Sequence, residues 1–158
     1  MESVKEYIAR RIQESSKMYV EDLEAMSHEQ LSHCPNQTCR SGYDFTYETL
    51  YVNQRIATRL RGEDPGPWPT TEGFMRAPEE FRHRDRLISE FRSASDAVLS
   101  AWQALPEDKL YETIELPQGK TSPMEMINIV ATHLSYHDGQ LNYIQTLHND
   151  AEVHWKFD

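Results

Sequence analysis

The chain has only two cysteines in 158 residues, too few for the disulfide framework that staples small secreted domains. It has no apolar run near the ~20 residues of a membrane span, so no membrane partner is expected. It lacks clusters of Lys and Arg: 16 basic residues stand against 26 acidic ones, for a formal charge of −10 and a pI near 5.1. That balance argues against nucleic-acid phosphates and anionic membrane surfaces as partners. The opening stretch MESVKEYIARRIQESS has neither an apolar signal core nor a cleavage site, so a cytoplasmic location is expected. Internal repeats and low-complexity segments are missing too. At this length the simplest organisation is one domain over 1–158, large enough to bury roughly 70 % of its unfolded surface.

What is present is helical periodicity. Ser3 caps a first helix running to about Ala25, with an apolar stripe through Val4, Ile8, Ile12, Tyr19, Leu23 and Met26. Ser27–Gly42 loses that period and reads as a long connection. A second helix over Tyr43–Arg61 is closed by Gly62, and its inward face reads Phe45, Glu48, Val52, Ile56 and Arg59 or Leu60. Glu63–Ala77 holds three prolines and two glycines and is long enough to cross the molecule from end to end. Pro78 opens a third helix that continues to about Leu105, followed by a weakly alternating LYETIEL read as an extended stretch or small hairpin. The fourth helix has the clearest start, with Ser122 as cap, Pro123 first and Glu125 completing a capping box. It runs to about Leu147, and Asn149-Asp150 stops it. In the tail AEVHWKF, Trp155 and Phe157 are expected to pack back on the bundle. The fold class is therefore all-α: an antiparallel four-helix bundle, with a connection long enough for a crossover.

The chemistry sits on the fourth helix. Met126, Val130, His133, His137, Gln140, Ile144 and Leu147 alternate by four and three residues, the spacing of an inward seam. The middle of that seam is polar. Two imidazoles four residues apart lie about 6 Å apart along one helix face and can grip one metal ion. Glu48 is the odd member of the second helix's stripe and supplies a third ligand if the two helices face each other. Two imidazoles and a carboxylate leave coordination positions open, a set that suits zinc, nickel, iron or manganese. Gln140 would orient a ligand or a water from the next turn. Asp138, about 100° around the helix from His137, reads as a rim residue. The rival reading is a Glu–His–His–Gln hydrogen-bond network without metal, in a non-catalytic binding or structural bundle, since buried polar groups need partners in either case.

Other residues carry weaker signals. His28, His33, Cys34 and Cys39 imitate a zinc site, but a C-x4-C spacing with no second pair is loose, and loop composition explains it. Tyr47 and Tyr136 are candidates for a pocket mouth beside their ordinary role as packing aromatics. His154 is a candidate fourth ligand or proton donor against the simpler reading of a surface histidine; His83 and His148 read as exposed. Met124 and Met126 read as core filler.

The pattern HLSYHDGQLNYIQTL, the four-helix layout and the second helix ending RLRG resemble the DinB-like (YfiT-like) metalloenzyme family. The resemblance implies a four-helix bundle with a long crossover and a metal held by three histidines, one from the second helix and an H-x3-H pair from the fourth. His133 and His137 match the pair. Counted back from Gly62, the position of the first histidine falls on Glu48, which turns the site into two histidines and one carboxylate. The family includes transferases and isomerases that use a low-molecular-weight thiol. The resemblance thus implies a metal-bound thiol of lowered pKa attacking an electrophilic carbon of a small-molecule substrate. Hydrolysis by a metal-bound hydroxide is the other chemistry open to such a site. A homodimer is a further expectation, from the wealth of aromatic residues in a chain this polar.

Overall fold

A computed structural model describes residues 2–69, 73–116 and 119–156. Its main helices are α1 (Val4–Ala25), α3 (Gly42–Leu60), α4 (Arg84–Ala104) and α5 (Pro123–Leu147), with a short α2 (His28–Ser32) after α1. Two three-residue strands, β1 (Ile114–Leu116) and β2 (Gly119–Thr121), pair antiparallel as a small hairpin ahead of α5. Local chemistry accounts for most boundaries. Reciprocal capping boxes open α1 (Ser3 with Glu6), α2 (Ser27 with Gln30) and α3 (Ser41 with Asp44). At α5, Ser122 accepts from the Glu125 N–H, but its hydroxyl, not its backbone N–H, donates to the Glu125 carboxylate at 3.0 Å. Gly62 follows α3 at φ 79°, the left-handed conformation that ends helices.

Three stretches differ from the sequence expectation. The first connection contains α2, because Ser27 and Gln30 satisfy each other's backbone and Leu31 is fully buried. The third helix begins at Arg84 rather than Pro78. Residues 79–81 form an isolated 3-10 turn, and Arg82 bends back so that its guanidinium meets Asp44 at 2.7 Å. Phe157 lies outside the described residues; Trp155 does return to the bundle, donating from its indole nitrogen to Asp22 at 2.6 Å.

The four long helices form a ring in the order α1, α4, α3, α5. Their directions follow from residues that meet. Lys5 at the start of α1 donates to Gln103 O at the end of α4, so this pair is antiparallel. Phe45 and Glu48 face His137 and His133, so α3 and α5 are antiparallel too. By contrast, Asp22 meets Asn142 and Gln145, and Asp44 and Asn53 meet Arg82 and Ser95. Hence α1 runs parallel to α5 and α3 to α4, the result of a crossover that returns the chain to the end at which α3 began. Tyr19 stacks on Phe91 at 4.7 Å in the core, beside the fully buried Leu23, Leu87, Ile127 and Leu134. Among the described residues, no helix is long and apolar enough to cross a membrane.

Helix faces are rotated slightly from the expected seams. On α3 the buried column includes Thr46, Thr49 and Asn53, while Glu48 and Val52 sit on its shoulder. Small hydroxyls tolerate that burial because each has a partner: Thr49 donates to Phe45 O at 2.7 Å, and Thr46 meets the Tyr19 hydroxyl at 3.0 Å. On α5 the centre is Ile127, Val130, Leu134, His137, Leu141 and Ile144, with His133 and Gln140 at the edge and Leu147 47 % exposed. A helix advances about 100° per residue, so a four-three alternation also fits the neighbouring column, and burial of Leu134 and Leu141 decides between them.

Candidate metal centre

Glu48 comes from the second turn of α3, and His133 and His137 from consecutive turns of α5. One ligand atom from each lies within 4.8 Å of the others, and the described residues contain no other such group of three His, Cys, Asp or Glu side chains. The two Nε2 atoms are 3.0 Å apart, and Glu48 Oε1 is 3.4 Å from His133 Nε2. Ligands bonded at about 2.1 Å in octahedral or tetrahedral geometry stand roughly 3.0–3.4 Å from one another. The His133–His137 and Glu48–His133 pairs therefore stand at the spacing of ligands on one first-row divalent ion.

The histidines are prepared for that role unequally. His137 is fully buried, stacked on Phe45 at 5.4 Å, and its Nδ1 faces Gln140 Oε1 at 2.6 Å. Gln140 thereby holds the proton on Nδ1 and directs the Nε2 lone pair into the centre. Burial, then the neighbouring His133, pushes its pKa down to about 4, so the ring is neutral at pH 7, as a ligand must be. His133 is half-buried, and its Nδ1 has no hydrogen-bond partner among the described residues. Burial alone would raise the Glu48 pKa, but the hydrogen bond with His133 and the charge of Arg40 outweigh it and hold the carboxylate ionised.

Arg40, in the loop just before α3, is the participant that sequence reasoning missed. Its guanidinium donates to Glu48 Oε2 and lies over the Phe74 ring, 4.4 Å from the centroid. No periodic pattern singles out a loop arginine eight residues before the carboxylate it meets. A cavity of about 320 Å³ adjoins the centre, walled by Arg40, Phe45, Phe74, Tyr136, Gln140 and Tyr143 among others. Glu48, His133 and His137 themselves line neither it nor a larger cavity, of about 780 Å³, at the far end of α3 by the hairpin.

The remaining candidates are distributed around the molecule. Tyr136 is exposed at the cavity mouth, with its hydroxyl 3.4 Å from Gln140 Nε2. Tyr47 packs on Phe81, and His154 pairs with Asp150 at 2.9 Å. His28 meets the Tyr43 hydroxyl at 2.8 Å, and His33 meets His148 at 3.1 Å, leaving His148 only partly exposed. The Cys34 thiol donates to backbone carbonyls of Asn36 and Cys39, so these four loop residues do not converge. Asp138 is not a rim residue: it is 8 % exposed and faces Asp22 of α1, whose carboxylate accepts from Asn142, Gln145 and Trp155. Burial and then the Asp22 charge hold the Asp138 carboxyl well above the usual carboxylate range. A partner on α1 cannot be inferred from spacing along α5.

No protein-family model and no curated protein matches the chain by sequence. Two solved structures resemble it over nearly their full lengths. A conserved protein from Enterococcus faecalis aligns with a TM-score of 0.71 at 15 % identity, covering 92 % of this chain and 96 % of that one. A DinB-like protein from Bacillus subtilis, YjoA, aligns with a TM-score of 0.68 at 17 % identity, covering 90 % and 92 %. At these identities the likeness is one of backbone fold alone. The chain has the DinB-like all-α fold.

Proposed function

We propose that this is a divalent-metal protein of the DinB-like type, with Glu48, His133 and His137 as ligands, acting enzymatically on a small electrophile. One observation carries the reading: three ligand atoms from two helices converge within 4.8 Å. A divalent ion there would supply Lewis acidity toward an oxygen or a thiol sulfur, which suits either thiol-dependent transfer or hydrolysis. The protein's part is positional. Gln140 sets the His137 tautomer, Phe45 fixes its ring plane, and the aromatic walls of the cavity exclude water from one side of a bound molecule. About 320 Å³ admits a small substrate, or part of one beside a low-molecular-weight thiol. A cytoplasmic location and a homodimer belong to the same proposal.

A second reading has its own support. Gln140, His137, His133, Glu48 and Arg40 form a continuous chain of polar contacts, which satisfies most of these groups without an ion and suits a non-catalytic bundle. Metal content of protein purified without an affinity tag separates the two, measured also for His137→Ala and Glu48→Ala. The metal reading expects near-stoichiometric metal that both substitutions remove. Metal retained by both variants would place it elsewhere, and none under any loading condition would leave the network alone.

A further inference from the structure

We infer that Arg40 is the positioning residue of the metal centre, holding one oxygen of Glu48 so that the other faces the histidine pair as the ligand atom. The inference rests on the metal reading above. A glutamate at the shoulder of a helix has three side-chain torsions and water within reach, and confining them opposes its conformational entropy. Glu48 is confined nonetheless: its two oxygens divide their contacts, Oε2 toward Arg40 and Oε1 toward His133 Nε2 at 3.4 Å. The pair is also largely out of water, with side-chain exposures of 9 % for Arg40 and 18 % for Glu48.

Arg40 is itself held on both sides in sequence. The Cys39 carbonyl accepts from Arg76 at 2.7 Å and from the Cys34 thiol at 3.0 Å. Ser41 is locked by Asp44, which accepts from its backbone N–H and its hydroxyl, both at 2.9 Å. Phe74 then covers the guanidinium from the other face. These contacts fix the backbone on either side of Arg40 and cover one face of its guanidinium, whose donor meets Glu48 Oε2. Charge favours the same division of labour. Two neutral imidazoles, one carboxylate and a divalent ion carry one net positive charge, so a second cation is tolerated best across the carboxylate from the ion. The guanidinium occupies that place, on the oxygen the ion would not use.

The test is calorimetric titration of the metal-free protein with Zn²⁺, for wild type, Arg40→Met, Arg40→Lys, Glu48→Ala and the Arg40→Met/Glu48→Ala double variant. Arg40→Met should weaken Zn²⁺ binding by about ten- to a hundred-fold, the range for loss of a group that orients a ligand. Arg40→Lys should fall between it and wild type and serves if the methionine variant folds poorly. In the Glu48→Ala background Arg40→Met should have no further effect, because there is no carboxylate left to hold. Affinity unchanged or tightened by Arg40→Met would overturn the inference, the latter marking Arg40 as a rival of the ion. An undiminished loss in the Glu48→Ala background would overturn it as well, since a general structural role would then account for the effect. No Zn²⁺ binding by wild type would overturn the metal reading, and this inference with it, before any variant is compared.

Discussion

Asp44 carries a dense set of hydrogen bonds and ion pairs, and replacing it by asparagine should destabilise the fold in a way that pH reveals. The side chain is 1 % exposed and caps α3 one turn before Glu48. It accepts from the Ser41 and Ala77 backbone N–H groups at 2.9 Å each, and from Arg76 at 3.0 Å and Arg82 at 2.7 Å. Asp44→Asn keeps the shape but turns one acceptor oxygen into a donor, so at least one buried N–H loses its partner. Each bond from a backbone N–H to a charged acceptor contributes about 1.5–3 kcal/mol. The arginine side chains are 45 % and 28 % exposed, recover water, and add no more than about 1 kcal/mol each. The expected loss is about 2–5 kcal/mol, which for a chain of this size lowers the melting temperature by roughly 4–20 °C.

Burial alone would raise the Asp44 pKa, but the Ser41 and Ala77 N–H bonds and Arg76 outweigh it and hold the carboxyl below its ordinary value. A depressed carboxylate stabilises the fold above its unfolded pKa, near 4, and loses that contribution as pH falls through its folded value. Urea unfolding followed by circular dichroism, at pH 7 and again near pH 3, should therefore show the gap between wild type and variant closing in acid. A gap under about 1 kcal/mol at pH 7, or one unchanged near pH 3, would refute the reasoning.

Other expectations are simpler to check. Chelator added to metal-loaded protein should lower its melting temperature; where free metal was a hundredfold above Kd the loss is about 2.7 kcal/mol, and His137→Ala should show none of it. Gly42→Ala should cost about 1–3 kcal/mol in denaturant titrations, because its Cβ would lie 3.0 Å from Leu31 Cδ2 and 3.3 Å from the Leu31 Cα. Equal or greater stability would show that α2 can shift away. For Asp138 the sign is opposite to that of Asp44: the folded state retains a proton that the unfolded chain releases. Stability should then fall as pH rises from the ordinary carboxylate range toward about 8, and Asp138→Asn should flatten that slope; parallel melting-temperature curves would count against it.

What could be read from the residues depended on how far the deciding contact lay along the chain. The span of α5 follows from Ser122, Pro123 and the loss of period after Leu147, all local. The capping pair Ser27 and Gln30 was equally local, yet it opens only one turn of helix, too short for periodicity to mark. The centre was half legible. His133 and His137 share one helix and announce themselves by spacing, and Glu48 stood out as a charge on an apolar stripe. Arg40 carried no such mark: it is close to Glu48 in sequence but sits in a loop whose path no periodicity sets. Nor did Asp22, since its partner lies on α5 and only the packed bundle brings them together. Asp138 was misread for the same reason.

The ring order of the helices also bears on when the centre can exist. α1 and α3, successive long helices, stand diagonally in the bundle, as do α4 and α5, so neither pair can close as an independent helical hairpin. α5 finds its neighbours, α1 and α3, far back along the chain, and α3 reaches α4 only across the crossover, so loop-closure entropy must be met before those contacts form. Glu48 meets His133 across the α3–α5 face, the pairing of greatest separation that touches the centre. A partly folded chain offers no such site, only an i,i+4 histidine pair on a lone helix. On the proposed metal reading, full-strength binding would be a signature of the closed bundle, and the rate at which it develops during refolding would time the docking of α3 against α5.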